Sequence, residues 1–296
     1  MSNRRPTSLG HASATVRDRG ARTTAALLMM GMLCVACGGG PGDAPLPTAP
    51  SGVVSISSDQ KLRMERLSSV FENGTTTFAY GYAENIGDGR GITCGRVGFT
   101  TGTGDWFQVV QAYTAVQLTN PLAPYLPRLA ALASASAPTP NPDTTGLGGM
   151  IAATATAGAD PAMQRVQDAF VDSLIYAPAQ KLAGQIGVSS ALAIADLYDA
   201  ILTHGEGGGP DDITSVVAAA THAAGGTPQT GVPERRWLTA FDDARRYDML
   251  HPAYAPSAAA WALAVDRIDV YDQLIADGNW DLHGPISTLS YGVTVP

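Results

Sequence analysis

The stretch Leu67–Trp106, LSSVFENGTTTFAYGYAENIGDGRGITCGRVGFTTGTGDW, constrains this chain more than any other. A helical apolar pattern runs into Glu72 and stops at Asn73-Gly74. After it comes a segment punctuated by glycine, which carries Asp88 and Asp105. Met64, Leu67 and Phe71 make one apolar stripe, and Ser57, Ser58 or Asp59 caps a helix beginning near Gln60. Asn-Gly is a common helix stop because glycine takes the left-handed conformation without steric cost. Glu72 therefore sits at a helix C-terminus, against the negative end of the dipole and among apolar neighbours. Both conditions favour the protonated carboxyl, which is what a general acid requires. Phe78–Ile86 and Ile92–Phe99 read as two strands around the turn Gly87–Gly91, a small hairpin lobe. Thr100–Gly104 is a loop, and Asp105 opens a helix through Val116.

Helices dominate the rest. The expected segments are Leu122–Ala133, a helix from Asp160-Pro161 to about Ile175, Pro178–Ile186, Ser189–Thr203, Asp211–Ala224, Pro233–Leu250 and Ser257–Asp277. Ser189–Thr203 is apolar on most faces and is expected at the centre of the core. Ser134–Gly149 is a Pro/Thr/Gly-rich loop. The expected fold class is α+β, mainly α, with two lobes and a cleft between them.

The N-terminus reads as a targeting segment. An arginine-rich start precedes the short apolar run Ala25–Ala36 and Cys37-Gly-Gly-Gly. Residues 1–36 are expected to be a signal peptide. Lipidation of Cys37 and ordinary cleavage after Ala36 are the two readings. Either one puts the protein outside the cytoplasm, in the extracellular space or on the cell surface of a bacterium. Residues 37–55 form a Gly/Pro linker and 56–296 a single catalytic domain.

Composition narrows the partners. The net charge is −8, although residues 1–36 hold five arginines against Asp18 alone, so the remainder is more acidic still. Such a chain is poorly suited to nucleic acid and better suited to a cationic or neutral substrate. Cys34 belongs to the leader and Cys37 to its end, which leaves Cys94 as a small buried hydrophobe with no disulfide partner. No zinc-binding HExxH, serine-hydrolase GxSxG, EF-hand or phosphate-loop pattern is present. No metal, cofactor or protein partner is implied, and a membrane enters only through a lipid anchor. His204, His222, His251 and His283 are isolated and read as surface or cleft residues.

Two carboxylates facing each other across a cleft can hydrolyse an acetal, one protonating the leaving oxygen and the other activating water. Glu72 and Asp88 are the candidates, although any such pair taken alone reads equally well as surface charge. The run ENG…GYAENIGDGRGITCGRVGFTTGTGD resembles the signature of glycoside hydrolase family 46 chitosanases. Weaker likenesses follow at Gln111-Ala-Tyr, at LYDAILTHG from Leu197, at FDDAR from Phe241, at DGNWDL from Asp277 and at Tyr291-Gly292. The resemblance implies a two-lobed lysozyme-like fold and an endo-acting, inverting enzyme that cleaves β-1,4 links between glucosamine units of chitosan. It makes Glu72 the acid and Asp88 the base, with Thr93 holding the attacking water and Arg90 beside the base. Asp105, Glu84, Tyr82 and His204 become sugar contacts. Asp199, Arg245 and Arg267 become a buried ionic network supporting the base, the alternative being ordinary ion pairs between helices. The rival functions are a related glycosidase acting on chitin or peptidoglycan, and a non-catalytic polysaccharide-binding surface lipoprotein.

Overall fold

The computed structural model describes residues 54–136, 140–253 and 258–296. The expected signal peptide and almost all of the linker lie outside these residues. Helix α1, Ser58–Asn73, begins in a capping box. Ser57 Oγ accepts from Gln60 N at 3.2 Å, and Ser57 N donates to Gln60 Oε1 at 2.8 Å. The helix ends at left-handed Gly74, and Met64, Leu67 and Phe71 are buried as the stripe requires.

The hairpin expected after α1 is a three-stranded antiparallel sheet of two-residue strands: β1 (Ala83–Glu84), β2 (Thr93–Cys94) and β3 (Phe99–Thr100). Its strands are far shorter than the sequence suggests because Gly87, Gly89, Gly91, Gly95 and Gly98 all take positive φ. Gly91 shows why the residue type matters. At φ +80° an added Cβ would lie 2.3 Å from Thr101 Oγ1, the atom that accepts from Ile92 N at 3.0 Å. Backbone bonds from Gly102 N to Arg90 O (2.8 Å) and from Thr101 N to Ile92 O (3.0 Å) tie the Asp88 loop to the loop before Asp105.

The helices follow as α2 (Asp105–Val116), α3 (Leu126–Ser134), α4 (Met150–Ala157), α5 (Pro161–Val171), α6 (Ala177–Ile186), α7 (Ala191–His204), α8 (Ile213–Ala224), α9 (Glu234–Leu250), α10 (Ala258–Ala264) and α11 (Asp266–Asp277). A two-stranded sheet, β4 (Ile286–Ser287) with β5 (Thr294–Val295), ends the chain. The α+β, mainly α class is as expected. Asp160 caps α5 through Ala162 N, with Pro161 at the first helical position. Between α5 and α6 lies a π-helical turn, Asp172–Tyr176, closed by Ala177 N bonding to Asp172 O. It stands just ahead of Pro178, whose missing N–H breaks the regular ladder. The single helix expected over Ser257–Asp277 is two helices, broken at Val265.

Every residue of α7 is buried. Burying that many apolar side chains in one helix makes it the axis of the core, at roughly 1.5–3 kcal/mol for each large one. It also takes Asp196 and Asp199 into the interior, three residues apart and so on one face. Those two charges determine much of what surrounds Glu72.

A second ionic cluster fastens the small sheet to the helices. Arg96 is 6% exposed, pairs with Glu65 of α1 at 3.3 Å and also with Asp168 of α5. Lys61 joins Glu65 (2.8 Å) to Asp172 (2.7 Å). Gln167, fully buried, accepts from Arg96 N at 3.0 Å and donates to Tyr80 O at 2.9 Å. The segment carrying Thr93 and Asp88 is thereby held against the helical core by bonds that its glycines could not supply.

Candidate active site

Glu72 lies in the last turn of α1, where only 13% of its side chain is exposed. Arg267 Nη2 donates to its Oε1 at 2.8 Å, and Oε2 makes no hydrogen bond among the described residues. Burial raises its pKa above the usual carboxyl value; nearby Arg267 opposes the rise and Asp199 adds to it. The balance favours the protonated form of a carboxyl that has one oxygen fixed and the other open.

Arg267 is 1% exposed and reaches four groups. Besides Glu72 these are Asp199 Oδ1 (3.3 Å), Thr203 Oγ1 (2.6 Å) and, through Nε, the carbonyl of Ala264 (3.3 Å). Asp199 Oδ2 accepts from Arg245 Nη2 at 2.8 Å, and Arg245 Nη1 pairs with Asp196 Oδ1. The residues expected to form a buried network do form one, yet it ends on Glu72 and not on Asp88. The expected support of the base is therefore corrected to contact with the acid candidate. The reason is position: α1, α7, α9 and α11 meet in the core, whereas Asp88 sits in a glycine loop and takes a partner from that loop.

That partner is Arg90. Its backbone N donates to Asp88 Oδ1 at 3.0 Å and its Nε to Oδ2 at 2.7 Å. The Asp88 side chain is 4% exposed. The spacing Gly87-Asp88-Gly89-Arg90-Gly91 allows this close fork because glycines at 87, 89 and 91 let the chain turn back on itself.

The strand register places Glu84 opposite Thr93, and Thr93 opposite Thr100, so the three share a face. Thr100 Oγ1 lies 2.6 Å from Thr103 Oγ1. Thr103 Oγ1 donates to Asp105 Oδ1 at 2.8 Å, as do the backbone N of Thr100 and of Trp106, both at 2.7 Å. Asp105 thus joins β3 to the start of α2, and burial pushes its pKa up to about 6 against these three donors. Thr93 Oγ1 is buried and makes no hydrogen bond with any described residue. A buried hydroxyl without a partner costs about 1–3 kcal/mol, which makes it the conspicuous unpaired group of this row. Glu84 is exposed, and Tyr82 Oη donates to it at 2.9 Å.

His204 is misplaced by the sequence reading. It is expected as a cleft residue and sugar contact, but its side chain has no exposed surface. Nδ1 lies 3.2 Å from Asp248 Oδ2 and 3.2 Å from the carbonyl of Asp211, and Trp261 packs edge-on at 5.1 Å between ring centroids. Burial holds the imidazole below its usual pKa. It is a core residue at the end of α7, because the loop after it folds back and covers it. Cys94 is buried as expected, with burial pushing its thiol pKa well up. Asp196 and Asp242, both buried beside Arg245, were missed. Among the described residues no group of His, Cys, Asp or Glu could hold a metal ion.

The chain is similar to known chitosanases over most of its length. A chitosanase of Bacillus subtilis (strain 168) is 40% identical over 235 residues, 79% of this chain and 83% of the relative. One from Streptomyces sp. (strain N174) is 35% identical over 237 residues, 79% and 80% of the two chains. Among solved structures, a Gynuella sunshinyii chitosanase in complex with chitotetraose superposes with a TM-score of 0.74 at 38% identity, covering 82% of this chain and 99% of that one. A Bacillus subtilis MY002 chitosanase complexed with 6 GlcN gives 0.74 at 38% identity, covering 82% and 100%. Residues 66–286 match the model of glycosyl hydrolase family 46, a span that runs from the helix bearing Glu72 to the terminal strands, and the chain belongs to that family.

Proposed function

We propose that this protein is an endo-acting chitosanase that hydrolyses β-1,4 links between glucosamine units with inversion. The observation that carries the reading is the asymmetry of the two carboxyls. Glu72 is desolvated toward its protonated form with one oxygen open, while Asp88 is forked by a guanidinium and a backbone N–H. One is suited to giving a proton and the other to taking one.

In the proposed reaction Glu72 protonates the glycosidic oxygen as the bond to the anomeric carbon breaks. Asp88 takes a proton from a water that attacks that carbon from the opposite face. Inversion requires space for this water, roughly 6.5–9.5 Å between the carboxyls. Thr93, whose Oγ1 has no partner within the described protein, is the hydroxyl assigned to the water. Arg90 keeps Asp88 aimed. Asp105 offers Oδ2, since its Oδ1 is taken by three local donors. With Glu84 and Tyr82 it meets the ammonium and hydroxyl groups of the sugar. The acidic surface draws a polycation toward the site, an effect that salt weakens.

The test uses chitosan oligomers. The wild type is expected to release the α-anomer first, and Asp88→Asn is expected to lose about two to four orders of magnitude in kcat. A β-anomer as first product, full activity of the Asn variant, or cleavage of acetylated chitin with none of chitosan would each overturn the reading.

We also propose export. The arginine-rich start and the apolar run Ala25–Ala36 support it. The intact mass of the protein recovered from a bacterial host should correspond to a chain beginning at Cys37. An added diacylglycerol mass identifies a lipoprotein and its absence ordinary cleavage, whereas an uncut chain in the cytoplasm contradicts export.

A further inference from the structure

The ionic chain behind Glu72 does not end at Asp196. Asp242 lies on α9 one turn before Arg245, is 1% exposed, and faces Asp196 within hydrogen-bond reach. Asp196 Oδ2, Asp242 Oδ1 and Asp242 Oδ2 are all buried without a donor. Two carboxylates are acceptors only, so nothing joins them until one carries a proton.

The charge balance of the cluster has the same consequence. Arg245 and Arg267 are the two cations of this interior, against Asp196, Asp199, Asp242 and Glu72. With all four acids ionised the cluster holds two uncompensated negative charges away from water, at a cost of several kcal/mol each. Two bound protons restore neutrality. One belongs on Glu72, the member with an open oxygen. For the other, Asp199 is forked by both arginines and Asp196 is held by Arg245, which leaves Asp242.

We propose that Asp242 is a positioning residue for Glu72: it stands as a neutral carboxylic acid, donates a hydrogen bond to Asp196, and closes the far end of the chain Asp196–Arg245–Asp199–Arg267–Glu72. With Asp196 anchored, Arg245 is fixed on both arms. Arg245 then fixes Asp199, and Asp199 fixes the guanidinium that holds Glu72 Oε1. The surroundings agree. The groups facing Asp242 are Asp196 from α7, Arg245 on its own helix and Asp272 from α11, with burial and Asp196 raising its proton affinity and Arg245 opposing the rise. Helix α8 brings only the exposed His222, and α10 brings no titratable group. The inference rests on Glu72 being the acid, but its stability arm below does not.

The experiment compares Asp242→Asn and Asp242→Leu with the wild type. Asn is neutral, keeps a donor toward Asp196, and is expected to leave kcat within about twofold and the alkaline limb of its pH profile in place. Leu removes the donor, so Asp196 takes the proton in its stead and the network gains positive charge. That favours ionised Glu72, and the alkaline limb is expected to move to lower pH with kcat down by about tenfold. An acid whose folded pKa lies well above its ordinary value of 3.8 costs stability as pH rises from there toward the folded value. Asn cannot titrate, so urea midpoints measured from pH 4 to 8 should increasingly favour Asp242→Asn over the wild type. The proposal fails if Asn displaces the alkaline limb as Leu does, because Asp242 then acts as an anion. It also fails if the midpoint difference between Asn and wild type is flat with pH, or if a folded Leu variant matches the wild type in kcat and pH profile. If Leu does not fold, the two Asn measurements still decide.

Discussion

Glu72→Gln is expected to lower kcat on chitosan oligomers by roughly two to four orders of magnitude, with KM little changed. Gln keeps the carbonyl that accepts from Arg267 Nη2, so the contact at 2.8 Å survives and the loss is confined to the proton. In the wild type, kcat should fall on the alkaline side with a midpoint above 4.5, the ordinary value for Glu, because burial raises the pKa. In the variant that limb should vanish from whatever activity remains. Stability should move the other way. A carboxyl with a raised folded pKa binds its proton more tightly when folded, so it costs stability as pH climbs from about 4.5 through the folded value. Gln removes this cost, and the variant should be more resistant to urea than the wild type near neutrality but not near pH 4. An active site that spends stability in this way is a common compromise. Gln retaining a tenth or more of wild-type turnover would show that another group delivers the proton.

The helical frame was legible because its signals are local. Ser57 with Gln60 and Asp160 with Pro161 fall where capping chemistry predicts, and α2 starts at Asp105 as expected although Gly104 before it supplies no side-chain cap. Helix α4 escaped notice because MIAATATA has neither an apolar stripe nor a side-chain cap. The strands were overextended because aromatic and β-branched residues suggested pairing that the intervening positive-φ glycines prevent. Asp88 with Arg90 was readable, since the two bond within one turn. Glu72 was readable in its helix-end setting, but the pairing with Arg267 spans 195 residues and no local pattern encodes it. Only the family resemblance brought Asp199, Arg245 and Arg267 together, and it attached them to the wrong carboxyl. Asp196 did leave a trace, as a charge three residues from Asp199 on a helix that is otherwise almost wholly apolar. His204 was misread for the opposite reason: a histidine beside a glycine-rich loop looks exposed until the loop is seen to fold over it.

Arg267→Ala should be the most destabilising single change in the site region, at about 3–5 kcal/mol, measured as a loss in urea unfolding free energy. The side chain is 1% exposed and its guanidinium serves Glu72, Asp199, Thr203 and the Ala264 carbonyl together, 5.7 Å from the Phe71 ring centroid. Alanine leaves Asp199 with one cation where it had two, Glu72 with none, and a cavity in place of the stem. The electrostatic consequence has a definite sign. Arg267 is the principal influence holding the Glu72 pKa down, so without it the proton is bound more tightly and the alkaline limb of kcat moves to higher pH. This is opposite to the displacement expected from Asp242→Leu, although both changes damage the same network. Arg267→Lys keeps the charge but cannot fork between Asp199 and Glu72, so it should fall between alanine and wild type in stability while leaving the limb nearer its original place. A limb displaced equally by Lys and Ala would mean that hydrogen-bond geometry, not charge, governs the acid. A loss below about 1 kcal/mol for alanine would mean that water already reaches this cluster and that its charges are not paired in isolation.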